Sequence, residues 1–458
     1  MSGLTAALNS GKTGLFTNQK LIEVAGNNIN NVNTPGYSRQ RAEIGTLPTL
    51  EINGFFIGTG STVESITREH NVFITRQIQA KNATLGEESA KSIPLTELEN
   101  IFNLSEQNLA AEIDRFFDAW QELATNPSGQ IERDIVMQRG DQLADAFHET
   151  ALGLDRVQRE INNTLVSEID AINLKLQQVA ELNGRIADIE ATGQAANAYH
   201  DQRDILLQEL SNTLGVQSYK ENNGMVTVQL PGGMPLVQLD EALTLEGVQV
   251  GQDLQFQLSY NNTTLELGLN NFGGEFKGML SIRDELLTDL NSTLDNMAYN
   301  LVNEVNTQHQ AGVGLDNNSH LFFNALTDET NASRNIGLAV QNTNEIAVGA
   351  SVAPGDNTNA QLIAALRNKE MIGNNETLGE AYGRMSSTVG IEAAQSRLAL
   401  DGTEDALIQL ENLRDGISGV SLEEEMINLI QYQAGFEASA KFLAIVDEMM
   451  GSLLTLKR

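Results

Sequence analysis

The chain has 458 residues, enough for two to four domains with ample core. Its formal charge is −33 and its pI about 4.4, which argues against nucleic acid or an anionic membrane as partners, because phosphate binding needs Lys and Arg. There is no Cys, so disulfides and thiolate metal sites are excluded, and the 5% aromatic content suits long helices better than a dense enzyme core.

No stretch approaches the roughly 18 apolar residues of a membrane span. The opening MSGLTAALNSGKTGLF has neither a basic leader nor a continuous apolar run, so no cleaved secretory signal is visible. Instead Leu8, Leu15, Ile22 and Ile29 recur every seven residues, with Leu4, Gly11, Asn18, Ala25 and Val32 as the companion row, the narrow seam of a coiled coil. The helix runs into AGNNINNVNTPGYSRQR (25–41), with five Asn in the seven positions 27–33. Pro35 bars a continuing helix at Thr34, and Pro35-Gly36 sets up a turn. Asn side chains both donate and accept, so Asn27, Asn28, Asn30 and Asn31 either bond the helix to the linker or to neighbouring subunits, or merely end it. Residues 46–75, with pieces such as GFFIGTGSTVESITR, read as an extended hairpin-like linker. Residues 1–45 carry Lys12, Lys20, Arg39 and Arg41 against Glu23 and Glu43, while most of the remaining chain is acidic.

Helical periodicity dominates from about 70 to 214. Ile113, Phe116, Phe117 and Trp120 mark one apolar face, ended by TNPSG, and a longer run extends from Leu154 to Ile189 at spacings of three and four. About 38 residues at the usual rise predict a rod of roughly 55 Å. Over 215–270, MVTVQL, LQFQLS and TLELGL alternate and are separated by the turn signals ENNG, PGGMP and YNNT, which predicts a small β insertion. Helix returns over 276–310, a looped stretch runs to 376, and a further helix spans 378–413. Near the end Leu422, Leu429, Phe436, Leu443 and Met450 again recur every seven, and Ser421 with Glu424 offers a capping box. The fold class is mainly α with a small inserted β domain. The expected organisation is a terminal coiled-coil domain (1–45 plus 415–458), an elongated helical-bundle domain (46–214 plus 271–414) and a β tip (215–270).

Several motifs resemble chemistry without supplying it. SGKT at 10–13 lacks the earlier Gly of a phosphate loop, that position being Ala6. The five His are scattered, and His309, at a helix end, reads as a dipole-complementing cation or a hydrogen-bonded structural group. Asp316 in GLDNNSH lacks the Gly and the bidentate Glu of a calcium loop. Glu423, Glu424 and Glu425 are expected to complement the dipole of the last helix rather than bind metal. Arg203-Asp204 and Arg283-Asp284 are expected to form ion pairs that pin helices. No catalytic, cofactor-binding or metal-ligating residue can be picked out, so no enzyme and no cofactor are expected.

The motif with Asn27, Asn28, Asn30, Asn31, Thr34, Pro35, Gly36 and Tyr37 resembles the N-terminal signature of flagellar axial proteins, the rod, hook and hook-associated subunits. GVSLEEEMINLIQYQAGFEASAKFLAIVDEMMGSLLTL resembles their closing helix, with Glu423 where Asp is more usual and Gly435 where a helix former is expected. The central YHDQRDILLQELSNTLGVQ and GGEFKGMLSIRDELLTDLNSTLDNMAYNLVNEVNTQHQAG are similar to the hook-associated branch. The resemblance implies a structural protein of the extracellular flagellum, exported unfolded by the flagellar type III system. It implies a homo-oligomeric ring on the hook side of the hook–filament junction, needed for filament assembly. Its implied partners are the hook protein, the junction protein FlgL and an export chaperone, FlgN, at the C-terminal helix. Another axial subunit and a secreted adhesin-like binding module are the alternatives.

The heptad rows Leu8, Leu15, Ile22, Ile29 and Leu422, Leu429, Phe436, Leu443, Met450 are the expected self-assembly seam. Each belongs to a helix with a single apolar stripe, and an uncovered solitary helix is marginal in water. The termini are therefore expected to be disordered in the free subunit and to pair only in the ring.

Overall fold

A computed structural model describes residues 2–52, 54–102, 108–221, 223–250, 253–260, 263–351, 353, 355–373 and 375–456. Helix α1 (Ser2–Asn30) leads into strands β1 (Gln40–Thr46), β2 (Leu50–Ile52), β3 (Phe55–Ile57) and β4 (Ser61–Arg68). β1 pairs antiparallel with β4, Gln40 opposite Arg68, and β2 pairs with β3. The stretch 46–75 is thus the outer part of a hairpin, followed by the start of α2 (Val72–Ile101).

Next come α3 (Leu109–Thr125), α4 (Gln130–Ala191) and α5 (Asn197–Leu214). The Asn108 side chain caps α3 by accepting from the Ala111 amide, and Gly215, at φ +68°, ends α5 in the left-handed region. α4 has 62 residues and begins 24 before Leu154, the first residue of the long apolar run. Gly140 and Gly153, which interrupt the pattern, are tolerated for packing reasons. A Cβ at Gly140 would press on the Phe322 ring at 2.8 Å, and one at Gly153 would meet Ile101 at 3.1 Å.

In the predicted β insertion, β5 (Gln217–Lys220), β6 (Val226–Gln229), β7 (Pro235–Gln238) and β8 (Glu241–Ala242) form one antiparallel meander. β9 (Thr244–Val250), β10 (Asp253–Tyr260) and β11 (Thr263–Leu267) form another. α6 (Gly274–Ser281) continues through a single π-helical turn, Ile282–Leu286, into α7 (Leu287–Ala311). Short helices α8 (Ala332–Asn335) and α9 (Thr358–Ala365) precede the long α10 (Leu378–Ser418) and α11 (Leu422–Leu456).

The chain forms two compact units, one of Met1–Leu85, Ile169–Gly274 and Gly402–Arg458, the other of Gly86–Glu168 and Glu275–Asp401. The second unit is centred on Phe116, Phe117, Trp120, Phe322 and Phe323, whose rings meet mostly tilted or edge-on at 4.8–6.4 Å. His309 packs edge-on against this cluster, and burial pushes its imidazole down to about 4. Its Nδ1 lies 2.7 Å from the His320 carbonyl and so donates, while Nε2 accepts from the Ala347 amide at 3.0 Å. Of the two readings of His309, the structural one holds; a neutral imidazole is no helix-end cation.

Buried or half-buried Asn side chains stand in for missing strands. In the first unit Asn183 of α4 accepts from the Val226 amide and donates to the Val226 and Leu239 carbonyls, tying the β5–β8 meander to the helix. Earlier on α4, Asn173 does the same for Leu245 of β9 through both its oxygen and its nitrogen. In the second unit Asn306 accepts from the Phe322 and Phe323 amides and donates to the Phe323 carbonyl. A carboxamide presents the same donor and acceptor as a peptide group, so it satisfies backbone that a helix side cannot otherwise pair.

Candidate assembly surface

All residues of the terminal motifs lie in the first unit. α1 and α11 pack together within one chain, and α1 also touches β1 and β4. The helices run antiparallel: a Cβ on Gly11 would meet Phe442 and Leu443, one on Gly14 Ser439, and one on Gly435 the Asn18 amide at 2.6 Å. Gly435 costs about 1 kcal/mol of helix propensity, and its missing side chain is what admits Asn18. Gly11, Gly14 and Gly435 leave room for side chains of the opposite helix between the two backbones.

The buried face of α1 is therefore Ala6, Gly11, Thr17, Leu21, Val24, Ala25 and Asn28, whereas Leu8, Leu15, Ile22 and Ile29 are half-buried. On α11, Leu429, Phe436, Leu443 and Met450 are half-buried and Leu422 is exposed; Val446, outside the heptad row, is 1% exposed. Within one chain α1 and α11 lie against each other along much of their length. α1 is flanked by α11 and by the β1–β4 hairpin. A different stripe stays uncovered. Ile427, Ile430, Ile445 and Met449 fall on one side of α11, with Ile427 and Ile430 64% and 63% exposed.

The Asn-Pro-Gly motif fixes the joint between α1 and β1. Asn28, 1% exposed, donates to the Gln40 carbonyl (2.9 Å) and accepts from the Gln40 amide (2.9 Å) and the Tyr37 hydroxyl (2.8 Å). It is another strand surrogate. Burial first, then the charges of Asp201 and Glu425, push Tyr37 up to about 12, which keeps its hydroxyl a donor. Asn27 and Asn31 bond to one another, Thr34 bonds to Asn31, and Asn30 and Pro35 are exposed. Gly36 sits at φ +75° against the Ile205 side chain.

Beyond the motif, Ser38 donates its amide and hydroxyl to Asp201 (3.2 and 2.8 Å), and Arg68 bridges Asp201 and Asp204 at 2.8 and 2.7 Å. Asp204 thus pairs with Arg68 and not with Arg203, correcting the expected pair; Arg283–Asp284 does form. Arg39 donates to Glu424 and to Glu425, each at 2.7 Å, and its amide donates to the Ser418 carbonyl. Partial burial opposes the Arg39 charge, but the two carboxylates outweigh it and raise its pKa. Ser421 accepts from the Glu424 amide at 3.4 Å, but the Glu424 carboxylate reaches Arg39 instead of closing the capping box. Sequence reasoning misses Asp201, Arg39 and Glu425 as residues of this joint; the basic start and the Glu triplet are the available signal. Among the described residues no His, Asp and Glu cluster is arranged for a metal ion, and no helix is long and apolar enough to cross a membrane.

This arrangement can hold helices together and offer an apolar face. Residues 95–323 match a family model described as the flagellar hook-associated protein FlgK helical domain. Residues 416–456 match the flagellar basal body rod FlgEFG protein C-terminal model, and 8–37 the flagella basal body rod protein model. The flagellar hook-associated protein 1 of Bacillus subtilis is 26% identical, covering 99% of this chain and 98% of that protein. The protein of the same name from Escherichia coli is 23% identical, covering 99% of this chain and all of its own. In fold, the chain is similar to the flagellar hook junction protein FlgK from Burkholderia pseudomallei, with a TM-score of 0.68 at 16% identity, over 75% of this chain and 100% of that one.

Proposed function

The chain belongs to the flagellar hook-associated protein FlgK family, structural components of the bacterial flagellum, and on that premise we propose that it forms the hook side of a ring at the hook–filament junction. The observation that supports a ring is the stripe Ile427, Ile430, Ile445 and Met449, which one chain leaves open. Completing the burial of each adds roughly 1 kcal/mol, at about 25 cal/mol per Å² of apolar surface. A second copy laid along α11 would cover the whole stripe at once.

In this reading the terminal domain (1–45 plus 415–458) is the assembling part, and its heptad residues Leu8, Leu15, Ile22, Ile29, Leu422, Leu429, Phe436, Leu443 and Met450 are the self-assembly seam. The chain is exported unfolded through the flagellar type III system, FlgN holds α11 beforehand, and the ring meets the hook protein on one side and FlgL on the other. Sparse burial on α11 suits a segment that must unfold for export and order on arrival. The test is Ile427→Ser with Ile430→Ser in a strain lacking the native protein. Both side chains are exposed, so the subunit melts as before, and the expected result is bare hooks with filament subunits lost to the medium. Normal filaments from the double variant would overturn the proposal.

A further inference from the structure

His200, Arg203 and Glu190 form a chain of contacts at the start of α5, apart from the terminal helices. His200 Nε2 lies 2.7 Å from Glu190 Oε1, and His200 Nδ1 lies 2.9 Å from Arg203 Nη2. A guanidinium has donors only, so Nδ1 must carry the lone pair and Nε2 the hydrogen. Arg203 is 3% exposed, and its Nη1 donates to Asn183 Oδ1 at 2.8 Å and to the Gly224 carbonyl at 3.0 Å. Its three partners are thus neutral, and among the described residues it is in ion-pair contact with no carboxylate. Asn183 is the residue that carries the β5–β8 meander, and Gly224, at φ +82°, is the turn between β5 and β6.

We propose that this chain is an acid-sensitive clamp: a proton taken up from solvent at His200 Nδ1 removes the third acceptor of Arg203 and releases α5 from the β5–β6 turn. After protonation an N–H faces an N–H, and two cations sit 2.9 Å apart in a buried site, so one of the two side chains must move. The surrounding cavity, about 310 Å³, adds Arg68 from β4, His70, Arg76 from α2, Asp204 from α5 and Lys220 from β5 to Glu190 of α4. Cations outnumber carboxylates there. Burial lowers the His200 pKa, Arg203 and Arg68 lower it further, and Glu190 opposes them. A His depressed in the folded state leaves the clamp intact above its ordinary value of 6.5, and the clamp weakens as pH falls from there through the folded value.

Two measurements on the full chain test this. Nitrogen-15 NMR of the imidazoles reads the tautomer, and His200 is expected with hydrogen on Nε2 and an apparent pKa below 6.5. Amide exchange across 217–229 reads the clamp: protection is expected to fall by up to about tenfold per pH unit below 6.5. His200→Gln cannot titrate and should flatten that response, whereas His70→Gln, at the neighbouring histidine, should keep it. An unchanged acid response in His200→Gln, or hydrogen on Nδ1, overturns the proposal. If His200→Gln does not fold, the tautomer and pKa of the native chain decide it.

Discussion

The Tyr37 hydroxyl donates to Asn28 Oδ1 at 2.8 Å, and the same oxygen accepts from the Gln40 amide at 2.9 Å, so one side chain closes the turn that joins the first helix to the first strand. Asn28→Ala would leave the half-buried Gln40 amide and carbonyl and the Tyr37 hydroxyl without this partner. Leaving buried groups unsatisfied costs about 1–3 kcal/mol each, tempered here by water entry at a partly exposed joint. The expected net loss is about 2–4 kcal/mol in urea unfolding of the first unit. Asn28→Asp should also destabilise, since it cannot donate to the Gln40 carbonyl. Tyr37→Phe, which removes one bond of three, should cost only about 1 kcal/mol.

Arg39 ties this joint to α11 through Glu425, whose side chain is only 4% exposed. Arg39 itself is a quarter exposed, so the pair lies between a surface bridge and a buried one. A double-mutant cycle with Arg39→Ala and Glu425→Gln should give a coupling of about 1–2 kcal/mol. The same cycle with the exposed Glu424 should give well under half of that. Equal couplings would show that burial of Glu425 contributes nothing.

The helices, the β insertion and the terminal motifs were legible because each obeys a local rule: spacing of three and four, alternation between turns, or a Pro-Gly stop. The neighbours of those elements were not. Leu8, Leu15, Ile22 and Ile29 do mark an apolar row, but periodicity cannot tell whether one partner or two will share it. Gly11, Gly14 and Gly435 look like weaknesses in a sequence, because their value lies in the side chains they admit from another helix. Asn173, Asn183 and Asn306 gave no sequence signal, since an Asn in a polar stretch looks the same whether solvated or holding a strand. The expected Arg203–Asp204 pair failed for a related reason: each residue is engaged by other partners, Asn183, Gly224 and His200 for Arg203 and Arg68 for Asp204.

His309 makes the stability of the second unit depend on pH. Its imidazole titrates at about 4 when folded and at 6.5 when unfolded, so the unfolded chain binds the proton first. Its contribution is fully present above pH 6.5, declines as pH falls, and is exhausted near pH 4. A gap of that size corresponds to roughly 3 kcal/mol lost across the window. Urea midpoints followed by the single Trp, Trp120, which packs edge-on against His309, would report it. His309→Gln, able to donate and accept in the same directions, should reduce the slope.

Two glycines at positive φ should respond differently to alanine. At Gly36 a Cβ meets only a side chain, Ile205 at Cδ1 and Cγ1, which can turn away, so Gly36→Ala should cost about 1–2 kcal/mol, chiefly backbone strain. At Gly274, φ +58°, the Cβ would overlap the Asn212 carbonyl, a backbone group that cannot turn away. Gly274→Ala should therefore destabilise more than Gly36→Ala, by at least about 1 kcal/mol in thermal or urea unfolding. The order would reverse if Ile205 were held rigidly in place.

Amide exchange along the terminal helices separates pairing from order. Among its described residues α11 fully buries only Glu425 and Val446, and its Ile427–Ile430 stripe faces solvent, whereas α4 keeps Leu154, Leu165, Leu176 and Ile186 at 0–1% exposure. Local opening tracks the burial that must be given up, so amides of 422–453 in the free subunit should exchange orders of magnitude faster than those of 154–186. Assembly covers the stripe, and exchange on α11 should then slow towards that of α4. The N-terminal helix, held on both α11 and the hairpin through Thr17 and the Ser61 carbonyl, should fall between the two. Uniformly slow exchange over 5–30 and 422–453 in a subunit that sediments as a monomer would mean that the termini are already complete, and that the ring draws its cohesion from elsewhere.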